Sequence, residues 1–172
     1  GLHIPLIYSE RNDPNRTNQR QSDRLYRKIV EKNTDKIVFQ TTGAQQCYSR
    51  KIQKKSTVIL NPLDTTGFPI HNFLCEKKEI VSIGRLEPQK NQKLLIKAFS
   101  LIAEELPDYS LVIYGEGSLR EYLENYIKSK NLEDRVLLPG EKENVQEYIK
   151  DASLFVLSSD YEGIPNALIE AM

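Results

Sequence analysis

The feature of this sequence that most constrains its fold is a regular alternation of short apolar runs with amphipathic helical patterns. The apolar runs cover residues 4–9, 35–40, 56–60, 79–84, 110–115, 135–140 and 153–159. Apolar strands that are bounded by turns and separated by helices are typical of a parallel sheet covered on both faces. Because parallel crossovers are right-handed, such units are Rossmann-like and doubly wound. The sequence therefore predicts an α/β protein built from Rossmann-like parallel sheets.

The predicted helices follow from apolar residues that recur at a helical spacing. Helical patterns near residues 20–33 and 43–54 separate the first three strands. In the second half, the apolar stripes contain Leu95, Ala98, Phe99, Ile102 and Leu106, and then Leu119, Tyr122, Leu123, Tyr126 and Ile127. Residues three and four apart lie on one helix face, so each stripe is expected to pack on the sheet.

One segment interrupts this alternation. Residues 61–79 contain two prolines and a glycine and follow neither a helical nor a strand period, which is typical of a linker. We therefore predict a first domain over residues 1–66, a linker over 67–78 and a second domain over 79–172. The chain starts without a methionine and ends inside a helical pattern, so we expect it to be a fragment of a longer protein.

The formal net charge is zero, with 24 basic and 24 acidic residues, but the charge is divided unevenly. Residues 1–60 hold 12 Lys and Arg against 5 Asp and Glu, which gives +7, so the remainder carries −7. Arg20, Arg24, Arg27 and Lys28 recur at helical spacing, and Arg50, Lys51, Lys54 and Lys55 follow them. Such a basic face can meet anionic lipid or nucleic acid. A merely solvated face is the alternative. Few aromatic residues lie between the cations, so we predict no nucleic-acid partner.

Composition also limits the chemistry of the chain. The two cysteines, Cys47 and Cys75, and the two histidines, His3 and His71, form no pattern of metal ligands. We predict no metal site and no disulfide framework, and we expect a reducing compartment. No apolar run approaches the roughly 20 residues that a membrane span needs.

The loop after the fourth apolar run carries two cations. Gly84 allows the backbone to turn sharply off the strand, and Arg85 and Lys90 project from a loop that opens a helix. A planar guanidinium and a compact ammonium beside a helix N-terminus suit a ligand with two phosphates. Surface charge in a solvent-facing loop is the alternative.

Two further loops give weaker signals. The sequence GEGSL at residues 115–119 lacks the third glycine of a dinucleotide fingerprint, and we interpret it as a tight turn in which Ser118 caps the next helix. The sequence LPGEKEN at residues 138–144 leaves a strand through Pro-Gly, and its backbone can hydrogen-bond the edge of a flat base.

The last residues, EGIPNALIEAM, place Glu162 and Glu170 around the start of a helix, with Pro165 near its first position. The free N–H groups of the first helical turn favour a phosphate, and carboxylates are good acceptors for sugar and ribose hydroxyls. The alternative is that Glu162 compensates the helix dipole and that Glu170 is an exposed helical residue.

Taken together, GRLEPQKN, GEGS, LPG and the spacing E-G-x-P-x-x-x-x-E from Glu162 to Glu170 resemble the group 1, family 4-like, retaining glycosyltransferases. These enzymes use nucleotide sugars and have the two-domain GT-B fold. The order and spacing agree over residues 79–172, whereas residues 1–60 resemble the last third of the acceptor-side domain more loosely. The resemblance implies a piece that spans the domain junction and the donor-binding core and is inactive alone.

The resemblance also implies roles for individual residues. Arg85 and Lys90 would neutralise the donor diphosphate as it leaves, and Glu162 would hold hydroxyls of the donor sugar, so these three are the implied catalytic residues. The implied donor-binding residues are Gly84, Gly140, Gly163, Asn166, Ala167, Leu168 and Glu170. Glu170 would accept from the ribose hydroxyls, the backbone of residues 166–168 would meet phosphate, and the stretch after Gly140 would line the base. No metal or other cofactor is implied, because the two cations do the work of a metal.

One position departs from the family pattern. Many members carry a histidine in the loop after the strand that residues 4–9 resemble, whereas this chain has Glu10 and Arg11 there. Either these two residues contact the sugar, or they only shape the cleft.

The implied function is transfer of a sugar from a nucleoside diphosphate sugar, with UDP as the expected nucleotide, to a glycan or lipid-linked acceptor with retention. We expect a role in surface polysaccharide biosynthesis and a cytoplasmic protein that is peripheral at the inner face of the plasma membrane. A sugar-nucleotide 2-epimerase on the same fold and a non-catalytic nucleotide-binding or scaffold subunit are the alternatives.

Overall fold

The computed structural model describes residues 4–15, 21–63, 66–71 and 77–172. The chain divides into two compact units, of which the first comprises residues 1–62 and 161–165 and the second comprises residues 63–160 and 166–172. The predicted linker, residues 67–78, lies partly outside the described residues. Its boundaries, and those of the predicted domains on either side, stay predictions.

The first unit contains a three-stranded parallel sheet in the order β1-β2-β3. Its elements are β1 (Ile7–Glu10), α1 (Gln21–Asn33), β2 (Lys36–Phe39), α2 (Thr42–Gln46), α3 (Arg50–Lys54) and β3 (Ser56–Val58). The buried core of this unit consists of Ile37, Phe39, Tyr48 and Ile52. The three strands predicted from the first half of the sequence are therefore confirmed.

The single helix predicted over residues 43–54 is wrong, because the chain breaks it into α2 and α3. Cys47 caps the end of α2, and Ser49, with extended backbone, precedes α3. The residue between them, Tyr48, is only 5% exposed and points its ring into the core beside Phe39. Nothing in the sequence signals this break, because neither glycine nor proline occurs at the point where the chain turns.

The second unit contains a four-stranded parallel sheet in the order β6-β5-β4-β7. Its strands are β4 (Lys77–Ile83), β5 (Ser110–Tyr114), β6 (Val136–Gly140) and β7 (Ala152–Phe155). Its helices are α4 (Gln92–Ile102), α5 (Arg120–Lys128), α6 (Gln146–Ile149) and α7 (Asn166–Ala171), with a 3₁₀ turn at Pro88–Lys90. The predicted α/β class with Rossmann-like parallel sheets is confirmed.

The buried face of α4 differs from the predicted stripe by about one residue position. Leu95 and Phe99 are buried as expected, but Ala98 and Ile102 are exposed, and Ile96 and Ala103 occupy the core instead. Apolar residues surround much of this helix, including exposed positions, so the spacing alone could not select the inner face. The predicted stripe of α5 is correct at its centre, where Leu123 and Ile127 are buried.

A buried carboxylate, Glu10, organises the end of β1. Its side chain accepts hydrogen bonds from the Tyr48 hydroxyl at 2.9 Å, the Tyr8 hydroxyl at 3.3 Å and the backbone N–H of Asn12 at 3.2 Å. Both carboxylate oxygens therefore have donors within the protein. The Arg27 guanidinium lies 3.5 Å from the centre of the Tyr48 ring, which adds a cation–π contact to the cluster.

None of the helices in the part of the chain that the structure describes combines the length and the apolarity required to cross a bilayer.

The Glu10 cluster predicts a loss of stability at alkaline pH. Burial first, and then the negative charge of Glu10, raises the pKa of Tyr8 from 10.0 to about 12, and the same causes raise the pKa of Tyr48. Because the folded state favours the neutral phenols, their contribution to stability is complete below pH 10.0 and is lost as the pH rises towards about 12.

The measurement is ultraviolet difference absorbance of the phenolates, followed together with circular dichroism during an alkaline titration. We expect a late group of tyrosines whose ionisation coincides with unfolding, and we expect Tyr8→Phe and Tyr48→Phe each to reduce that group. Ionisation of every tyrosine near pH 10 in a protein that remains folded would contradict the prediction.

Candidate active site

The strand order of the second unit reverses at β4, because β5 lies on one side of it and β7 on the other. In open parallel sheets such a reversal leaves a crevice outside the carboxyl ends of the two strands, where ligands bind. The loop after β4, residues 84–91, and the loop after β7, which starts at Val156, flank this crevice. The strand topology alone therefore locates the candidate site of the second unit at the carboxyl ends of β4 and β7.

The two flanking loops are hydrogen-bonded to each other. The Asn91 side chain donates to Asp160 Oδ1 at 2.8 Å, and the Asp160 backbone N–H donates to the Gln89 carbonyl at 2.9 Å. The Ser158 hydroxyl donates to the carbonyl of Lys90 at 2.8 Å. These three bonds fix the backbone that carries Lys90 against the end of β7.

The predicted residues Gly84, Arg85 and Lys90 lie together at the carboxyl end of β4. The Gly84 N–H donates to the Tyr114 carbonyl at 3.0 Å, so this residue extends the pairing of β4 with β5. The aliphatic part of Lys90 lies over Gly84, since a Cβ on that glycine would be 3.4 Å from Lys90 Cδ. Arg85 is exposed and Lys90 is half-buried. The structure thus places both cations at the carboxyl end of β4, beside the reversal of strand order.

Two glycines allow the loop after β5 to pack against the loop after β4. A Cβ at Gly115 would lie 2.2 Å from the carbonyl oxygen of Gly84, and one at Gly117 would lie 2.5 Å from that of Leu86. Gly115 also has φ of +142°, which side chains rarely allow. The interpretation of GEGSL as a tight turn is supported, and the reason for its glycines is the close approach of two backbones.

The predicted capping role of Ser118 is wrong. The N-cap of α5 is Leu119, which has no side-chain cap. Instead, the Ser118 backbone N–H and hydroxyl donate to the Glu87 carboxylate at 3.1 and 3.0 Å. Those two bonds lower the pKa of Glu87. Sequence analysis missed Glu87, although an acid within the otherwise basic GRLEPQKN loop was a signal for an internal partner.

Gly140, the predicted start of the base-binding stretch, is the last residue of β6 and contacts the loop after β5. It has φ of +84°, and a Cβ there would lie 2.8 Å from Glu116 Oε1. Its carbonyl accepts from the Gly115 N–H at 2.9 Å. Arg120, which sequence analysis missed, binds the Glu116 carboxylate and also donates to the Leu138 carbonyl at 3.3 Å. The loops after β5 and β6 are therefore joined at the same edge of the sheet.

The last helix, α7, carries the remaining predicted residues of the second unit. Asn166 and Leu168 are exposed in its first turn, whereas Ala167 is half-buried. Glu170 is half-buried and accepts from the Gln146 side chain at 3.1 Å. It also lines a cavity of about 650 Å³ beside β7. Glu170 is thus not the freely exposed helical residue of the alternative interpretation.

Glu162 and Gly163 lie in residues 161–165, which form part of the first unit. Gly163 packs against the strand end that follows Glu10, because a Cβ there would lie 2.2 Å from the Arg11 carbonyl oxygen. Glycine is therefore required at this position by the close approach of two backbones, and Arg11 contributes its main chain to the contact.

Two buried or half-buried amides complete the support of this turn. In the orientation that satisfies both of its amide atoms, Gln40 donates to the Arg11 carbonyl at 3.0 Å and accepts from Asn61 Nδ2 at 3.1 Å. The same Asn61 nitrogen lies 3.5 Å from the carbonyl of Ile164. Gln40 and Asn61 were missed by sequence analysis, because amides in a strand end and a linker carry no spacing signal.

Glu10 and Arg11 both make contacts within the first unit, and the choice between sugar contact and cleft shaping stays a prediction. Glu10 is 8% exposed and has donors on both oxygens, while Arg11 uses its carbonyl to seat Gly163. The ligand roles of all the predicted site residues stay predictions. Among the described residues, which omit His3 and Cys75, no three or more His, Cys, Asp or Glu side chains are grouped as metal ligands.

The close contact between Gly163 and the Arg11 carbonyl leads to a prediction about stability. In Gly163→Ala the new methyl group overlaps the Arg11 carbonyl, so the turn must move, and we expect a loss of roughly 1–3 kcal/mol of unfolding free energy. The control is Gly43→Ala in α2, where the nearest atom to the new Cβ is 3.9 Å away and alanine favours the helix. Thermal denaturation of both variants tests this, and an unchanged Tm in Gly163→Ala would count against the contact.

Comparison with known proteins identifies the family. The family model described as "Glycosyl transferases group 1" matches residues 65–172. The chain is 31% identical over 173 residues to an uncharacterized glycosyltransferase of Haemophilus influenzae, covering 99% of this chain and 48% of that protein. It is 30% identical over 174 residues to the Campylobacter jejuni GalNAc-alpha-(1->4)-GalNAc-alpha-(1->3)-diNAcBac-PP-undecaprenol alpha-1,4-N-acetyl-D-galactosaminyltransferase, covering 100% of this chain and 47% of that enzyme.

A solved structure of Anabaena HepE in complex with UDP and glucose superposes with a TM-score of 0.80 at 18% identity, covering 97% of this chain and 50% of that one. This likeness confirms the fold, because the structural neighbours are GT-B glycosyltransferases. The chain spans about a third to a half of the length of the curated relatives it matches. The chain belongs to the group 1 glycosyl transferases.

Proposed function

We propose that the whole protein is a retaining glycosyltransferase that moves a sugar from a nucleoside diphosphate sugar to a glycan or lipid-linked acceptor in cell-surface polysaccharide synthesis. The observation that carries the proposal is the convergence of Gly84, Arg85 and Lys90 at the strand-order reversal of the second unit. A cationic crevice at this point of an α/β sheet suits the diphosphate of a sugar donor.

Two similar proteins support a choice of donor nucleotide and of acceptor class. The Campylobacter enzyme is named for an undecaprenol-linked acceptor, and the Anabaena structure holds UDP and glucose. By analogy, we propose UDP as the nucleotide and a lipid-linked or polymeric glycan as the acceptor. We propose no metal or other cofactor.

The chemistry assigned to the loop after β4 is electrostatic. As the bond between the sugar and the diphosphate breaks, negative charge develops on the leaving phosphate. A guanidinium fork from Arg85 and the ammonium of Lys90 would stabilise that charge, and they stabilise the transition state most if they are already in place. The hydrogen bonds that tie this loop to Asp160 and Ser158 serve such preorganisation.

The remaining roles concern binding. Glu162, on the turn seated by Gly163, would accept from hydroxyls of the donor sugar. Glu170 would accept from the ribose hydroxyls, and Gln146 would orient its carboxylate. The first-turn N–H groups of α7 would meet a phosphate.

The first nucleotide-binding prediction compares UDP with UMP. If Arg85 meets the second phosphate, the full-length protein should bind UDP more tightly than UMP, and Arg85→Ala should reduce that difference by about tenfold, the size expected for a charge-assisted hydrogen bond. Isothermal titration calorimetry measures both affinities. The matched control is Lys97→Ala, which removes an exposed cation from α4.

Equal affinity of the wild-type protein for UDP and UMP would remove the reason for assigning Arg85. Tight UDP binding without sugar transfer to any lipid-linked or glycan acceptor would favour the non-catalytic nucleotide-binding subunit. The same titration with GDP and ADP identifies the base that the protein prefers.

We also propose that the first unit rests on the anionic inner face of the plasma membrane, which places the protein in the cytoplasm. The helix α1 exposes the cations Arg24 and Lys28, whereas Arg27 is half-buried against Tyr48, and Arg20 lies outside the described residues. The neighbouring apolar residues Leu25 and Ile29 are 61% and 53% exposed. Exposed apolar side chains between cations are typical of a helix that lies in a membrane interface.

The membrane prediction uses charge reversal. Each cation near an anionic surface contributes about 1 kcal/mol, so Arg24→Glu combined with Lys28→Glu should weaken binding to phosphatidylglycerol vesicles by more than about tenfold. Co-sedimentation measures the bound fraction, with Lys128→Glu and Lys130→Glu in the second unit as the matched control. Equal binding to phosphatidylcholine and phosphatidylglycerol vesicles would contradict the proposal.

A further inference from the structure

The first residue of α4, Gln92, is a polar residue at a core position. Its side chain is 2% exposed, and the next inward-facing residues of the same helix are Leu95, Ile96 and Phe99. Residues at such positions are usually apolar, because burying an amide removes its hydrogen bonds to water. Gln92 therefore requires an explanation that packing does not supply.

Among the described residues, the Gln92 amide has one hydrogen-bond partner, which is the main chain of Arg85. Its Nε2 atom donates to the Arg85 carbonyl oxygen at 2.8 Å. The same oxygen accepts from the Glu87 N–H at 2.8 Å. Within the described part of the chain, Gln92 Oε1 is buried and has no hydrogen-bond partner.

An unpaired buried oxygen lowers stability, whereas an unbranched apolar side chain of the same size would fill the space without that cost. A sequence that keeps such a group at a ligand site gives up stability for function. The useful part of Gln92 is therefore its donor, which fixes the orientation of the peptide bond that follows Arg85.

The backbone on both sides of Arg85 is already held by the sheet and by the loop after β5. The Gly84 N–H donates to Tyr114, and the Leu86 N–H donates to the Glu116 carbonyl at 2.8 Å. The Arg85 carbonyl between them is the group that Gln92 restrains. The orientation of this backbone sets the direction of the Cα–Cβ bond from which the exposed Arg85 side chain leaves the loop.

We propose that Gln92 is a positioning residue that orients Arg85 towards the diphosphate of the sugar donor. The inference rests on the proposed function, because it assigns to Gln92 an effect on catalysis that acts through Arg85. Gln92 itself contacts no substrate. By restraining the Arg85 backbone, the Gln92 hydrogen bond reduces the conformational freedom that Arg85 loses when its guanidinium stabilises the charge of the leaving diphosphate.

The test substitutes Gln92→Met in the full-length protein, because methionine conserves the length of the side chain and removes both polar atoms. We expect an unchanged or raised Tm together with a kcat lowered by roughly 5- to 100-fold, and a KM for the donor that changes by less than about threefold. The probes are UDP-glucose, UDP-galactose, UDP-GlcNAc and UDP-GalNAc, with UDP release as the readout. The matched control is Ile96→Met, one turn further along the same buried face, which should leave kcat unchanged.

A double-mutant cycle separates positioning from a general structural role. If Gln92 acts through Arg85, Gln92→Met should have no further effect on kcat in an Arg85→Ala background. Independent losses in the two variants, or a Tm that falls along with kcat, would overturn the inference. Impaired transfer in Arg85→Ala beside normal transfer in Gln92→Met would overturn this inference alone. Normal transfer in Arg85→Ala would overturn the proposed role of Arg85 and, with it, this inference.

Discussion

The close approach of two backbones, at Gly84–Leu86 and Gly115–Gly117, is the constraint on which the candidate site depends. No side chain separates the loops after β4 and β5 there, so the loop that carries Arg85 rests directly on main chain. The N–H groups of Gly84 and Leu86 donate to carbonyls of Tyr114 and Glu116, and the Glu87 carboxylate accepts from Ser118, so hydrogen bonds in both directions join the same two loops. In the role proposed for Arg85, a cation held on such a base would meet the leaving phosphate without first reorganising its loop.

Sequence reasoning was most successful where the signal was repetitive. Apolar strands separated by helices predicted both parallel sheets, since burial on both faces leaves few other arrangements for such runs. Sequence reasoning failed at α2 and α3, where the local pattern favours one helix but the inward-facing side chain of Tyr48 lies at a break between two. It also misjudged the inner face of α4, because apolar residues there extend around the helix.

The candidate site was predicted only in part, for a related reason. Arg85 and Lys90 were recognisable because cations in a loop after a strand have a simple chemical interpretation. Gln92, Gln40 and Asn61 were not, because a buried amide is defined by the carbonyl it faces, and that carbonyl lies in a distant part of the chain. Residues that orient others have a signature in three dimensions and none in sequence spacing.

The turn that carries Glu162 depends on the Asn61 amide, and the residue that follows Asn61 is Pro62. Asparagine side chains deamidate chiefly when the backbone nitrogen of the next residue attacks the side-chain amide carbon and expels ammonia. A proline in that place has no N–H to supply the attacking nitrogen. The amide that supports the turn is therefore protected from the commonest route of spontaneous asparagine deamidation.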